Sequence, residues 1–133
     1  LKTPFDFSFS GLKTSVLTSV KKLSGQGPLP VEDICASFQE AVVDVLVEKT
    51  LFAAKNYDIR SIAVTGGVAT NSRLRARMAE ETKRLGCSAY FPYPELCTDN
   101  AAMVALAGYH QLKAGILLKE DADVYSRLPF PDI

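Results

Sequence analysis

The stretch that most constrains this chain runs from Ser61 to Arg75: Ser-Ile-Ala-Val-Thr-Gly-Gly-Val-Ala-Thr-Asn-Ser-Arg-Leu-Arg. Ile62, Ala63 and Val64 form a short apolar run of the kind that makes a buried strand. The run stops at Gly66-Gly67, and a polar, helix-favouring segment starts near Asn71. Two glycines at such a joint allow a sharp turn and let a ligand approach the backbone without meeting a Cβ. A helix start beyond them offers unpaired N–H groups and the positive end of its dipole, which suits a phosphate or a carboxylate. The pattern is neither Gly-x-Gly-x-x-Gly nor a phosphate loop ending in Gly-Lys-Ser/Thr. From these residues alone two readings stay open, a nucleotide platform and a plain strand-to-helix turn with Asn71 as N-cap.

Upstream, Phe5-Asp6-Phe7-Ser8-Phe9-Ser10 alternates aromatic and polar residues, which predicts a strand closed by Gly11. Leu12, Val16, Val20 and Leu23 recur at helical spacing and predict a helix over 12–23. A loop rich in glycine and proline over 25–30 leads into a long helix predicted over 31–56, with Glu32 and Asp33 in its first turn. Ile34, Phe38, Ala41, Val45 and Phe52 fall near one face of it. Val42, Leu46 and Val47 widen that face and predict burial on more than one side.

Downstream, a helix over 72–85 should end at Gly86, a strand over 88–93 should close at Pro92 and Pro94, and an alanine-rich helix should run from about Asn100 to Ala114. After Asp121 an irregular tail is expected. The unit from 61 to 93 reads as βαβ, so its strands should be parallel with a right-handed crossover. The fold class is therefore α/β, a small parallel or mixed sheet with flanking helices. Two or three strands make a thin sheet. Together with leucine as the first residue, this predicts a piece of a longer chain.

At 133 residues the chain is one domain at most, with 15 lysines and arginines against 15 aspartates and glutamates. A balanced charge makes no field that would announce a nucleic-acid partner, although a local basic stripe remains compatible with it. No apolar run approaches a membrane span and no signal-peptide pattern opens the chain. Cys35, Cys87 and Cys97 are odd in number and widely spaced, which points to packing residues in a reducing, cytoplasmic setting rather than a zinc site.

Three segments together resemble one family: Phe7-Ser8-Phe9-Ser10-Gly11-Leu12-Lys13-Thr14, Gly66-Gly67-Val68-Ala69-Thr70-Asn71, and Cys97-Thr98-Asp99-Asn100-Ala101-Ala102-Met103. In this order they are similar to the C-terminal part of the tRNA threonylcarbamoyladenosine transferases, a family long taken for glycoprotein endopeptidases. Ala36 to Ala41 also fits. The Cys-Thr-Asp-Asn form and Lys13 resemble the bacterial and organellar branch more than the archaeal one.

The resemblance implies an actin-like ATPase fold of two ribonuclease-H-like domains, of which residues 1–133 would be a single C-terminal domain fragment. It implies transfer of a threonylcarbamoyl group from threonylcarbamoyl-AMP to N6 of the tRNA adenosine just 3′ of the anticodon. By matching position, Asn71 would contact the adenylate with Gly66 and Gly67 beside it, and Ser10, Gly11 and Lys13 would face the cleft. Asp99 would be one ligand of an active-site metal, iron or zinc. Implied partners are tRNA and the other proteins of the bacterial threonylcarbamoylation complex. The family's His-x-x-x-His ligand pair is absent here. The one histidine, His110, lies eleven residues from Asp99, about 16 Å along a helix at about 1.5 Å per residue, too far to share a metal.

Each of these residues also has a structural reading. Asp99 and Asn71 both precede helices and suit N-caps. Lys13 suits a solvated lysine after a turn. Arg73, Arg77 and Arg84 could meet tRNA phosphate but fit a charged solvated face more ordinarily. His110 fits a structural or surface position. No serine, cysteine or lysine is arranged with a base as a covalent nucleophile requires, which counts against a protease. Two other functions stay open from the sequence, a small-molecule kinase of the actin-like superfamily and a non-catalytic scaffold domain.

Overall fold

The computed structural model describes residues 4–25, 27–117 and 123. They fall into two compact units, Leu1–Thr98 and Asp99–Ile133. The first holds helices α1 (Leu12–Leu23) and α2 (Val31–Asn56), strand β1 (Ser61–Ala63), helix α3 (Ser72–Leu85) and strand β2 (Ser88–Tyr90). The second holds helix α4 (Ala101–Lys113). Short 3-10 turns occupy Gly67–Thr70 and Pro94–Leu96.

The two strands pair in parallel, with Ser61 opposite Ser88, Ile62 opposite Ala89 and Ala63 opposite Tyr90. Parallel neighbours need a crossover, and α3 supplies it. The core lies where α3 meets α2 and the sheet. Val43 and Val47 from α2 meet Leu74 and Met78 from α3, and Leu46, Leu51, Val64, Ala89 and Phe91 pack around them. Burying each such side chain stabilises the fold by roughly 1.5–3 kcal/mol. Polar bonds hold α3 to α2 at the rim. Arg73 grips Glu40 through both carboxylate oxygens, Nε to Oε1 and Nη2 to Oε2 at 2.8 Å. One turn further on, Arg77 stands 3.7 Å from Asp44.

The end of α3 explains how the chain turns into β2. Gly86 takes a left-handed conformation at φ 75°, its N–H bonds the Lys83 carbonyl, and the Cys87 N–H bonds the Thr82 carbonyl at 2.8 Å. These two bonds satisfy carbonyls that a bare helix end would leave open, and glycine takes the required φ without a Cβ penalty.

The helices begin and end where the sequence places them, but four local expectations change. Residues 6–9 are not a strand; Phe7 and Phe9 are 47% and 41% exposed, and no neighbouring strand among the described residues offers them ladder partners. Strand β2 stops at Tyr90, before Pro92, and its ladder is set by the short length of β1 opposite it. The buried line of α2 is Val43, Val47 and Ala54, whereas Phe38 and Phe52 stay 44% and 49% exposed. Apolar residues surround most of α2, so its periodicity cannot choose a face; contact with α3 does. Packing is also the wrong expectation for Cys35, which is exposed, while Cys87 is half-buried and Cys97 buried. The expected tail after Asp121 lies, apart from residue 123, outside the described residues.

Candidate functional site

The glycine turn is built from backbone geometry. Gly66 sits at φ 94° and ψ 167°, a region of backbone space that is essentially glycine's alone. Its carbonyl accepts from the Ala69 N–H at 2.9 Å, and the Thr70 hydroxyl donates to the Gly67 carbonyl at 2.7 Å, closing one 3-10 turn. A Cβ built on either Gly66 or Gly67 would meet open space. Packing within the chain therefore gives no reason for the second glycine, whose φ is not in the left-handed region.

Asn71 follows and caps α3. Its extended backbone lets Oδ1 accept from the Leu74 N–H at 2.9 Å, so the capping reading holds. The same side chain donates through Nδ2 to Gln39 Oε1 on α2, also at 2.9 Å. A primary amide carries two N–H donors, and Gln39 takes one of them. Asn71 and Gln39 border a cavity of about 500 Å³ whose other walls include Phe38, Val42, Leu46 and Val68. Apolar walls with a few oriented polar groups are the usual chemistry of a small-molecule site.

Arg75, one helical turn beyond Asn71, ties this turn to two other segments. Its Nε donates to the Ala69 carbonyl inside the 3-10 turn. Its Nη2 lies 2.9 Å from the Pro92 carbonyl and 3.2 Å from Cys97 Sγ. The guanidinium also stacks over the Phe91 ring, 5.1 Å from its centroid.

The remaining residues divide. Ser10, Gly11 and Lys13 lie exposed at the start of α1, and they do not line the cavity beside Asn71. Gly11 is the N-cap of α1, and the Ser10 and Ser8 hydroxyls are 3.1 Å apart. Arg73, Arg77 and Arg84 face carboxylates. Arg73 pairs with Glu40, Arg77 lies near Asp44 and Glu81, and Arg84 bonds Glu80 and Glu81 at 2.7 and 2.8 Å. That is the ordinary reading of the row, a charged face, and the Arg73 fork holds Glu40 below the usual carboxylate range. His110 lies on α4 with its ring edge-on to Tyr109 at 5.5 Å.

In the second unit, Asp99 is exposed and is not the cap of α4. Asn100 performs that task, its Oδ1 accepting from the Met103 N–H at 3.0 Å. The third residue of a Thr-Asp-Asn run is the one in register with that N–H, which the sequence alone leaves undecided. Among the described residues no group of three or more His, Cys, Asp and Glu side chains could hold a metal ion. One carboxylate does not complete a coordination sphere for iron or zinc, so these residues do not make a metal site by themselves.

Sequence reasoning passed over Arg75 and Gln39. Arg75 was hidden because its acceptors are main-chain carbonyls, which leave no mark in a sequence; Gln39 lies 32 residues from its partner.

The family model for tRNA N6-adenosine threonylcarbamoyltransferase matches residues 1–106. The chain belongs to that family. It is 56% identical over 112 residues to a tRNA N6-adenosine threonylcarbamoyltransferase of Thermotoga neapolitana, covering 84% of this chain and 33% of the relative. It is 47% identical to one of Crocosphaera subtropica over 132 residues, 98% of this chain and 38% of the relative. A third, from Kosmotoga olearia, is 50% identical over 122 residues, 92% and 36% of the two chains. All three relatives are bacterial, as the Cys-Thr-Asp-Asn segment and Lys13 led us to expect. The chain thus spans about a third of the length of these relatives. Membership gives no support to the kinase and scaffold readings. No helix among the described residues is long and apolar enough to cross a membrane.

Proposed function

We propose that this chain is the C-terminal part of a cytoplasmic enzyme with an actin-like fold. The enzyme transfers the threonylcarbamoyl group from threonylcarbamoyl-AMP to N6 of the tRNA adenosine 3′-adjacent to the anticodon. In that reaction the N6 amine attacks the carbamoyl carbonyl. A new C–N bond forms, the bond from that carbon to the phosphate oxygen breaks, and AMP leaves while the amine gives up a proton.

The observation that carries the reading is the turn from Gly66 to Asn71, set in a chain of this family. Space stands open over both glycines, where a phosphate can approach the backbone, and an amide pair stands beside a largely apolar cavity. Asn71 is proposed to contact the adenylate with its second amide N–H, while Gln39 fixes the plane of that amide. Lys13, with Ser10 and Gly11 beside it, is proposed as a point charge for a phosphate or RNA oxygen. Asp99 is proposed as one ligand of the family's divalent metal, iron or zinc, in a full-length protein that supplies the other ligands. Protein partners of the bacterial modification complex are proposed on the family's account alone.

The test titrates a non-hydrolysable threonylcarbamoyl-adenylate analogue against the full-length protein and its Asn71→Asp and Asn71→Ser variants, with thermal melts alongside. Aspartate and serine both cap helices, so stability should fall by no more than the loss of the bond from Nδ2 to Gln39, about 1 kcal/mol. Aspartate brings a negative charge beside the phosphate and serine falls short, so affinity should drop by about 1–3 kcal/mol. Unchanged affinity in both variants would leave Asn71 a cap alone.

A further inference from the structure

Arg75 does more than stabilise α3. We propose that it is a positioning residue, holding the Gly66–Thr70 turn and the Cys97 segment in the relative placement that the adenylate requires. This rests on the functional reading above. The guanidinium reaches three separate pieces of chain within the first unit: the Ala69 carbonyl of the glycine turn, the Pro92 carbonyl just after β2, and Cys97 Sγ after the second 3-10 turn. Phe91 fixes the plane of the group from below, 5.1 Å from centroid to Cζ.

The last two of these pieces also meet each other, Cys97 Sγ lying 3.8 Å from the Pro92 carbonyl, so what the fork adds is their tie to the glycine turn. The sheet ends at Ala63 and Tyr90, before either the glycine turn or Pro92 begins. Beyond Val64, whose N–H donates to the Tyr90 carbonyl at 2.9 Å, no ladder bond joins the two strand exits among the described residues. A planar fork with donors aimed in several directions spans that gap, and a point charge cannot. The side chain is only partly exposed, and Cys97, its far partner, is 4% exposed. The fork's far end thus stands at the last residues of the first unit, next to its boundary at Thr98.

The experiment uses the full-length protein and two variants, Arg75→Lys and Arg75→Met. Three quantities are read: melting temperature, affinity for the non-hydrolysable adenylate analogue, and the rate of Cys97 alkylation by iodoacetamide, followed on the peptide that carries it. Lysine keeps the charge and most of the stem, and guards against simple unfolding of the methionine variant. The expected result is a folded Arg75→Lys protein whose analogue affinity falls about tenfold or more, because small displacements of binding groups are costly. Its Cys97 should alkylate faster than in the wild type. A merely structural role would lower the melting temperature and leave the affinity of the folded protein intact; that result, or the loss of a melting transition in both variants, overturns the inference. A wild-type protein with no affinity for the analogue sinks the functional reading and this inference with it. Wild-type affinity in both variants sinks the inference alone.

Discussion

Gly66 and Gly67 are neighbours with different reasons for lacking a side chain. At Gly66 the backbone itself demands it, since φ 94° with ψ 167° is closed to L-residues at acceptable cost. At Gly67 nothing inside the chain does, because an added Cβ meets open space. The two alanine variants should therefore part company. Gly66→Ala should lose about 1–3 kcal/mol of stability through strain. Gly67→Ala should melt like the wild type yet bind the adenylate analogue more weakly in the full-length protein, since the methyl group would enter the open space proposed for the phosphate. Equal melting temperatures for the two variants would contradict the backbone argument, and unimpaired binding by Gly67→Ala would move the phosphate elsewhere. At this scale the sequence was informative about Asn71, where cap and ligand contact are both chemically available. It was silent on Gln39, which only the α2–α3 packing brings to Asn71, and it placed Asp99 where Asn100 in fact caps.

Between elements, the α2–α3 contact sets the geometry of the site, and its polar rim is sensitive to acid. Glu40 is held below its ordinary value of 4.5, first by its bonds to Arg73 and then by the charges of Arg73 and Arg77, against an opposing desolvation. A carboxylate whose pKa is lower folded than unfolded adds stability in full above the unfolded value and loses it as pH falls through the folded one. Arg73 stays charged throughout, so it adds no second window. Glu40→Gln should melt below the wild type by a constant margin from neutral pH down to about 4.5, and the margin should close in more acidic solution. The effect should be small, because both partners are well exposed to solvent. A margin that persists unchanged to about pH 2, well below the carboxylate range, would mean the glutamine acts through packing instead. The boundaries of α1, α2 and α3 were legible because their punctuation is local: Pro30 before α2, Asn71 before α3, Gly86 after it. The buried face of α2 was not, since that choice belongs to α3. The alternation over residues 5–10 promised a strand, but a strand needs a neighbour, and alternation does not name one.

As a whole molecule, the chain carries one half of a proposed chemistry. Asp99 is a single carboxylate without two further donors among the described residues. The purified 133-residue chain should accordingly retain far less than one equivalent of iron or zinc after dialysis and should not modify tRNA when given threonylcarbamoyl-AMP. The full-length protein should do both, and Asp99→Ala in it should lose metal while melting close to the wild type, because the α4 cap belongs to Asn100. Elemental analysis and a tRNA modification assay decide this; stoichiometric metal in the short chain, or in the Asp99→Ala variant, would contradict it. The Arg75 fork has a consequence for how such a chain can vary over time. Two of its three acceptors are main-chain carbonyls, at Ala69 and Pro92, and every amino acid carries one. The fork therefore reads no side chain at positions 69 and 92, so any limit on their identity comes from packing, which is strict at Ala69, 1% exposed, while the arginine has no equivalent substitute. Two kinds of constraint thus meet at the turn: hydrogen-bond geometry restricts the arginine that holds, and lack of space restricts Ala69 and Cys97 among the residues that are held.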